Sequence, residues 1–126
     1  MKNLFFLSAL GAMLIFSACS KDKNSNKAAS RNVKYEITGS ATGSFTMVYT
    51  NSSGVAENVT VQSLPWSKEL TVQNSVQAVI FTANGTTTPG KVAVANLYIG
   101  NKIEQTATQT ANSNGTIVFG GLNFTY

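Results

Sequence analysis

The chain has 126 residues, no histidine and a single cysteine, with nine Lys and Arg against five Asp and Glu. Ser-His-Asp and Cys-His nucleophilic sites are excluded because the hydroxyl or thiol would lack its base, and zinc or iron sites of the usual ligand type are not expected either. Lys21, Lys23, Lys27, Arg31 and Lys34 against Asp22 make the amino-terminal segment basic. Lys68, Lys91 and Lys102 against Glu36, Glu57, Glu69 and Glu104 leave the remainder nearly neutral, so no nucleic-acid face is expected.

Lys2 followed by the apolar run from Leu4 to Phe16 has the layout of a secretory signal, and the run is short for a bilayer span. Phe16-Ser17-Ala18-Cys19 comes next, with small residues where a signal peptidase needs them. The tetrapeptide resembles the lipobox of bacterial lipoproteins, with Phe16 in place of the usual leucine. On that reading residues 1–18 are a lipoprotein signal peptide and Cys19 is the lipidated first residue of the mature chain. An ordinary signal followed by an incidental thiol is the other reading, and an unpaired cysteine is an awkward choice for an exported protein. Each buried acyl methylene contributes about 0.8 kcal/mol, so a multiply acylated Cys19 holds the protein on a membrane without spanning it.

Residues 19–32 are rich in Ser, Asn and Lys and lack apolar periodicity, the composition of a flexible tether. Its basic residues are either solvated or held near anionic headgroups. Residues 33–126 suffice for one core and one domain, and with Cys19 spent on lipid no disulfide is available to it.

From Val33 onward the pattern is that of strands. Val33, Tyr35 and Ile37 alternate with Lys34, Glu36 and Thr38; Phe45, Met47 and Tyr49 repeat the alternation, and Asn51 to Gly54 close a hairpin onto residues 55–62. Pro65 marks a strand end or edge, since it has no amide hydrogen to give a ladder. Residues 68–74 and 76–84 follow, the second with a continuous apolar centre that suggests a central strand. Residues 85–90 read as a loop, 91–101 and 102–110 as a hairpin about Gly100-Asn101, and 115–126 as the last strand. Gly120-Gly121 within it reads as a bulge that lets Leu122 and Phe124 re-enter the core. Seven to eight strands at this spacing fit an all-β fold, an immunoglobulin-like antiparallel β-sandwich, better than a closed barrel.

Tyr35-Glu36-Ile37-Thr38-Gly39, Tyr49-Thr50, Leu64-Pro65-Trp66-Ser67 and the Gly100-Asn101 hairpin, in this order, resemble the extracytoplasmic domain of the MmpS family, the mycobacterial membrane protein small family. The resemblance covers most of residues 33–110. It implies an immunoglobulin-like sandwich held outside the cytoplasmic membrane by its amino terminus, and an accessory role to exporters of the resistance-nodulation-division (RND) type. Two features depart from the family: a lipobox stands where members usually have a transmembrane helix, and Ala95 stands where many carry one cysteine of a bridging pair.

Glu36, Glu57, Glu69 and Glu104 fall on different strands, which argues against a glycosidase. Trp66 is the weak candidate for a ligand-binding residue, since exposed tryptophans stack on sugars and peptides, but its place after Pro65 suits a plug at the core edge. Tyr35, Tyr49 and Tyr98 fall on positions that suit packing. The Thr-rich run 106–116 is either a hydroxyl surface for a glycan or an ordinary polar strand face.

The sequence therefore predicts a non-enzymatic lipoprotein with no cofactor, metal or nucleic-acid partner. It is expected on the membrane through Cys19, most simply at the periplasmic face of the outer membrane, acting through contact with an envelope transport protein. A surface-facing glycan- or peptide-binding module is the alternative.

Overall fold

The computed structural model describes residues 28–126. The signal peptide, Cys19 and the tether as far as residue 27 lie outside the described residues. Eight antiparallel strands follow: β1 (Asn32–Gly39), β2 (Phe45–Thr50), β3 (Ala56–Val61), β4 (Trp66–Thr71), β5 (Ala78–Thr86), β6 (Val92–Ile99), β7 (Lys102–Thr110) and β8 (Thr116–Thr125). They form two four-stranded sheets, β4-β1-β6-β7 and β3-β2-β5-β8, termed here sheets A and B. The expected all-β sandwich is present, with eight strands.

The alternation read in β1 and β2 is the core alternation. Val33, Tyr35 and Ile37 on sheet A and Phe45, Met47 and Tyr49 on sheet B are buried and face one another. Small residues meet large ones across the ladders: Ala95 lies beside Ile37, Ala83 beside Met47, and Gly85 beside Phe45. A Cβ on Gly85 would come within 2.4 Å of the Phe45 ring, so that ring occupies the volume a side chain at 85 would need.

Phe81 pairs with Leu122 but Ala83 pairs with Phe119, so β8 carries one extra residue opposite Thr82. This is the bulge expected at Gly120-Gly121. Because strand faces alternate with period two, one inserted residue switches the inward set from Ile117 and Phe119 to Leu122 and the half-buried Phe124. A second bulge lies in β7, where Leu97 pairs with Gln105 and Tyr98 with Ile103.

Three expectations are corrected. β5 runs on to Thr86, because Gly85 and Thr86 pair with Ile117 and Thr116, so the loop expected at 85–90 is shorter. β5 also begins at Ala78, and Val76 is buried from the preceding loop, where its amide bonds to the Gln73 carbonyl. β4 starts at Trp66, two residues earlier than read, since Trp66 pairs with Ile37.

Arg31 and Asn32, read as tether, are held by the domain. Arg31 Nη1 donates to the carbonyls of Val76 (2.6 Å) and Gln73 (3.3 Å), and its guanidinium lies 3.9 Å from the Tyr126 ring centroid. The pole that receives the amino-terminal segment thus contains Arg31, the 72–77 loop, the Gly100-Asn101 turn and Tyr126.

Candidate functional site

Edge strands decide how the sandwich closes. On one flank β7 and β8 approach each other across the two sheets, and Gln105 Oε1 accepts the Asn123 amide hydrogen at 2.8 Å. On the other flank, between β3 and β4, side chains close the gap. Val59, Val61, Leu64, Trp66 and Leu70 line it, only partly buried against the core.

Trp66 sits at this seam. Its ring lies 5.9 Å from Tyr49 and 6.1 Å from Phe81, while Tyr35 lies 5.2 Å from both of those rings. Trp66 therefore packs as the outer member of an aromatic cluster, the plug geometry read from Pro65. Burial, with the neighbouring Glu57 carboxylate, raises the Tyr49 phenol above its ordinary pKa.

The outer face of sheet A is charged and ordered. Glu36 Oε2 pairs with Lys34 Nζ at 3.1 Å, and Glu36 Oε1 accepts from Asn96 Nδ2 at 3.1 Å and from the Tyr98 hydroxyl at 3.0 Å. The Lys34 ammonium also lies 4.2 Å from the Tyr98 ring centroid. Burial raises the Glu36 pKa, but the bonds from Lys34, Asn96 and Tyr98 outweigh it and hold the carboxyl below the usual range. The Glu36 carboxylate in turn raises both Lys34 and Tyr98. Tyr98 thus departs from its expected packing role. It lies on the outer face of β6, because Leu97 and Ile99 take the inward positions.

The outer face of sheet B has the opposite character. Its rows run Thr60–Thr46–Asn84–Val118 and Asn58–Val48–Thr82, with Ile80 beside Asn123 nearer the Arg31 pole. Thr46 and Thr60 hydroxyls lie 3.1 Å apart, and Ile80 and Val118 are 52% and 59% exposed. None of these residues is charged. Sheet A carries Lys34, Glu36, Lys68, Glu69, Lys102 and Glu104 on its strands, whereas sheet B carries only Glu57, which sits opposite the inward Tyr49. Gly120 and Gly121 add a strip without side chains next to Val118; a Cβ on Gly120 would meet nothing within 4 Å.

This uncharged face was not found by sequence reasoning. Its signal is the absence of Lys, Arg, Asp and Glu from 41–56 and 70–90, which becomes a surface only when β2 and β5 are known to be neighbours. The four glutamates stay on four strands, and among the described residues no three of His, Cys, Asp and Glu gather as a metal site. No described helix is long and apolar enough to cross a membrane.

The sequence model of a family described as Mycobacterium membrane protein matches residues 8–114. The match begins inside the apolar run and ends before β8, so seven of the eight strands fall within it. No curated protein matches the chain.

Proposed function

Because the chain belongs to the Mycobacterium membrane protein family, the MmpS family, we propose that it is a lipid-anchored, non-enzymatic protein of the cell envelope that acts by protein contact as an accessory to an RND-type transport complex. The observation that carries this reading is the division of the surface: charges are gathered on sheet A, and sheet B offers an uncharged face with Ile80 and Val118 exposed. Protein interfaces are depleted in charge at their centres, and an uncharged face of Thr, Val, Ile and Asn side chains fits another folded protein. The anchor is diacylated Cys19, which leaves the sandwich in the periplasm with its Arg31 pole toward the membrane.

The test has two parts. The mature chain should carry a mass increment of diacylglycerol at Cys19, and C19S should leave the membrane fraction. In mild detergent, the parent chain should capture an RND-type exporter identified by mass spectrometry, and I80K/V118K should capture much less. A bare thiol at Cys19 sinks the anchor; absence of any such exporter sinks the partnership, and equal capture by the variant sinks the sheet B face as its contact.

A further inference from the structure

The end of the sandwich at which the chain enters differs from the opposite end. At the Arg31 pole backbone bonds stitch the entering chain into the domain: the Val72 amide donates to the Arg31 carbonyl at 2.9 Å and the Gly100 amide to the Asn32 carbonyl at 2.8 Å. The 51–55 turn joins the same pole, since the Gln73 amide donates to the Ser52 carbonyl at 2.9 Å. Within that turn Asn51 Oδ1 accepts the amide hydrogens of Ser53 and Val55, each at 3.0 Å, and the turn so fixed leaves Val55 60% exposed. Ile103, 47% exposed, follows the Gly100-Asn101 turn as the second residue of β7. Val55 and Ile103 thus flank the point of entry. The four turns of the opposite pole, 40–44, 62–65, 87–91 and 111–115, expose no large hydrophobic side chain.

The sequence says what lies beyond the entry point. Eleven residues, Cys19 to Ala29, separate the pole from the lipobox end of the apolar run, and fully extended they reach at most about 40 Å. They carry Lys21, Lys23 and Lys27 against Asp22. The turns at 51–55, 72–77 and 100–101 hold no charged side chain. The nearby acids of sheet A are matched, Glu104 by Lys102 at 3.2 Å and Glu69 by Lys34 across the ladder. Exposed aliphatic side chains on uncharged turns, next to a basic segment, have the chemistry of a lipid–water interface with anionic headgroups.

We infer that the Arg31 pole seats on the anionic surface of the bilayer that holds the chain, with Val55 and Ile103 entering the headgroup region and Lys21, Lys23 and Lys27 meeting its charge. Two aliphatic side chains bind a bilayer weakly by themselves, but attachment through so short a segment makes the contact intramolecular and raises their effective concentration. Seated in this way the sandwich stands on end, its strands pointing away from the membrane and the uncharged face of sheet B turned sideways, toward a partner embedded in the same bilayer. The inference rests on the membrane attachment in the proposed function and not on the exporter.

The test uses the mature chain purified from membranes and reconstituted in mixed phosphatidylcholine and phosphatidylglycerol vesicles that contain a nitroxide-labelled lipid. A fluorescent label is placed at S52C, in the turn beside Val55, or at S113C, at the opposite pole. The S52C label should be quenched by the nitroxide and the S113C label should not. V55D/I103D should still float with the vesicles and keep its circular dichroism, yet lose the quenching at S52C, whereas V55L/I103L should retain it. In vesicles of phosphatidylcholine alone the quenching at S52C should weaken. A chain that does not float overturns the attachment and the seat together. A chain that floats with equal quenching at both labels, with S52C quenching that V55D/I103D leaves intact, or with no dependence on phosphatidylglycerol overturns the seat alone.

Discussion

The Tyr35 hydroxyl, on sheet A, donates a 2.7 Å hydrogen bond to the Thr50 carbonyl on sheet B, across a core in which Tyr35 has no exposed surface. The bond has a local cause. Beyond the Tyr49–Phe81 pair the ladder of β2 on β5 gives way, and the Ile80 amide bonds to Thr50 Oγ1 at 2.9 Å instead. The Thr50 carbonyl is thereby free to meet the phenol, and one side-chain substitution for a backbone bond ties the two layers together.

Y35F keeps the ring and removes the donor, leaving the Thr50 carbonyl without its partner. An orphaned buried acceptor costs about 1–3 kcal/mol, so the melting temperature should fall by roughly 4–8 °C for each kcal/mol lost. Thermal unfolding followed by circular dichroism measures this. An unchanged midpoint would mean that the bond contributes nothing net.

Gly85 and Phe45 share one volume, since a methyl at 85 would fall 2.4 to 2.7 Å from three ring carbons. Overpacking of this kind costs about 1–3 kcal/mol, which is the loss expected for G85A in urea unfolding. F45L/G85A should be less destabilised than the two single costs added together, because the smaller side chain vacates the contested space. Strict additivity would show that the two sites do not compete.

The Gly120-Gly121 bulge makes a sharper contrast. G120A adds a methyl where nothing lies within 4 Å, and stability should change by no more than about 0.5–1 kcal/mol. Deleting Gly120 removes the extra residue and turns Leu122 and Phe124 outward, so cooperative unfolding should be lost or weakened by more than about 4 kcal/mol. Equal tolerance of both changes would contradict the register assigned to β8.

Much of this architecture is legible in the chain itself. Alternation gives the inward residues of β1 and β2, and two adjacent glycines between apolar pairs give the bulge, because both depend only on near neighbours in sequence. Pairing across sheets is not local. That β1 lies between β4 and β6 is what brings Glu36 to Asn96 and Tyr98, sixty residues away, so a tyrosine that looked like a packing residue turns out to serve a carboxylate. The carboxyl-terminal end of β5 reads as a loop for a related reason: Gly85 and Thr86 look like turn residues until β8 supplies their partners. The uncharged outer face of sheet B likewise exists only once β2, β5 and β8 stand side by side.

Glu36 makes stability depend on pH in a direction its partners fix. Three bonds hold the folded carboxyl below its ordinary value, against a burial effect that raises it. A group with a depressed folded pKa contributes stability above its unfolded value, near 4.3, and loses it as pH falls through the folded value. The parent should therefore lose up to about 1 kcal/mol more than E36Q between pH 6 and the acid limit of folding, a small figure because the site is on an outer face. Lys34, raised by the same carboxylate, acts in the opposite window: its share persists below its unfolded pKa and fades as pH climbs through the folded one. Y98F, which removes one donor, should move the Glu36 titration upward in a carboxyl-resolved NMR titration. Parallel stability curves for the parent and E36Q, or an unmoved titration in Y98F, would show that the network does not hold the charge.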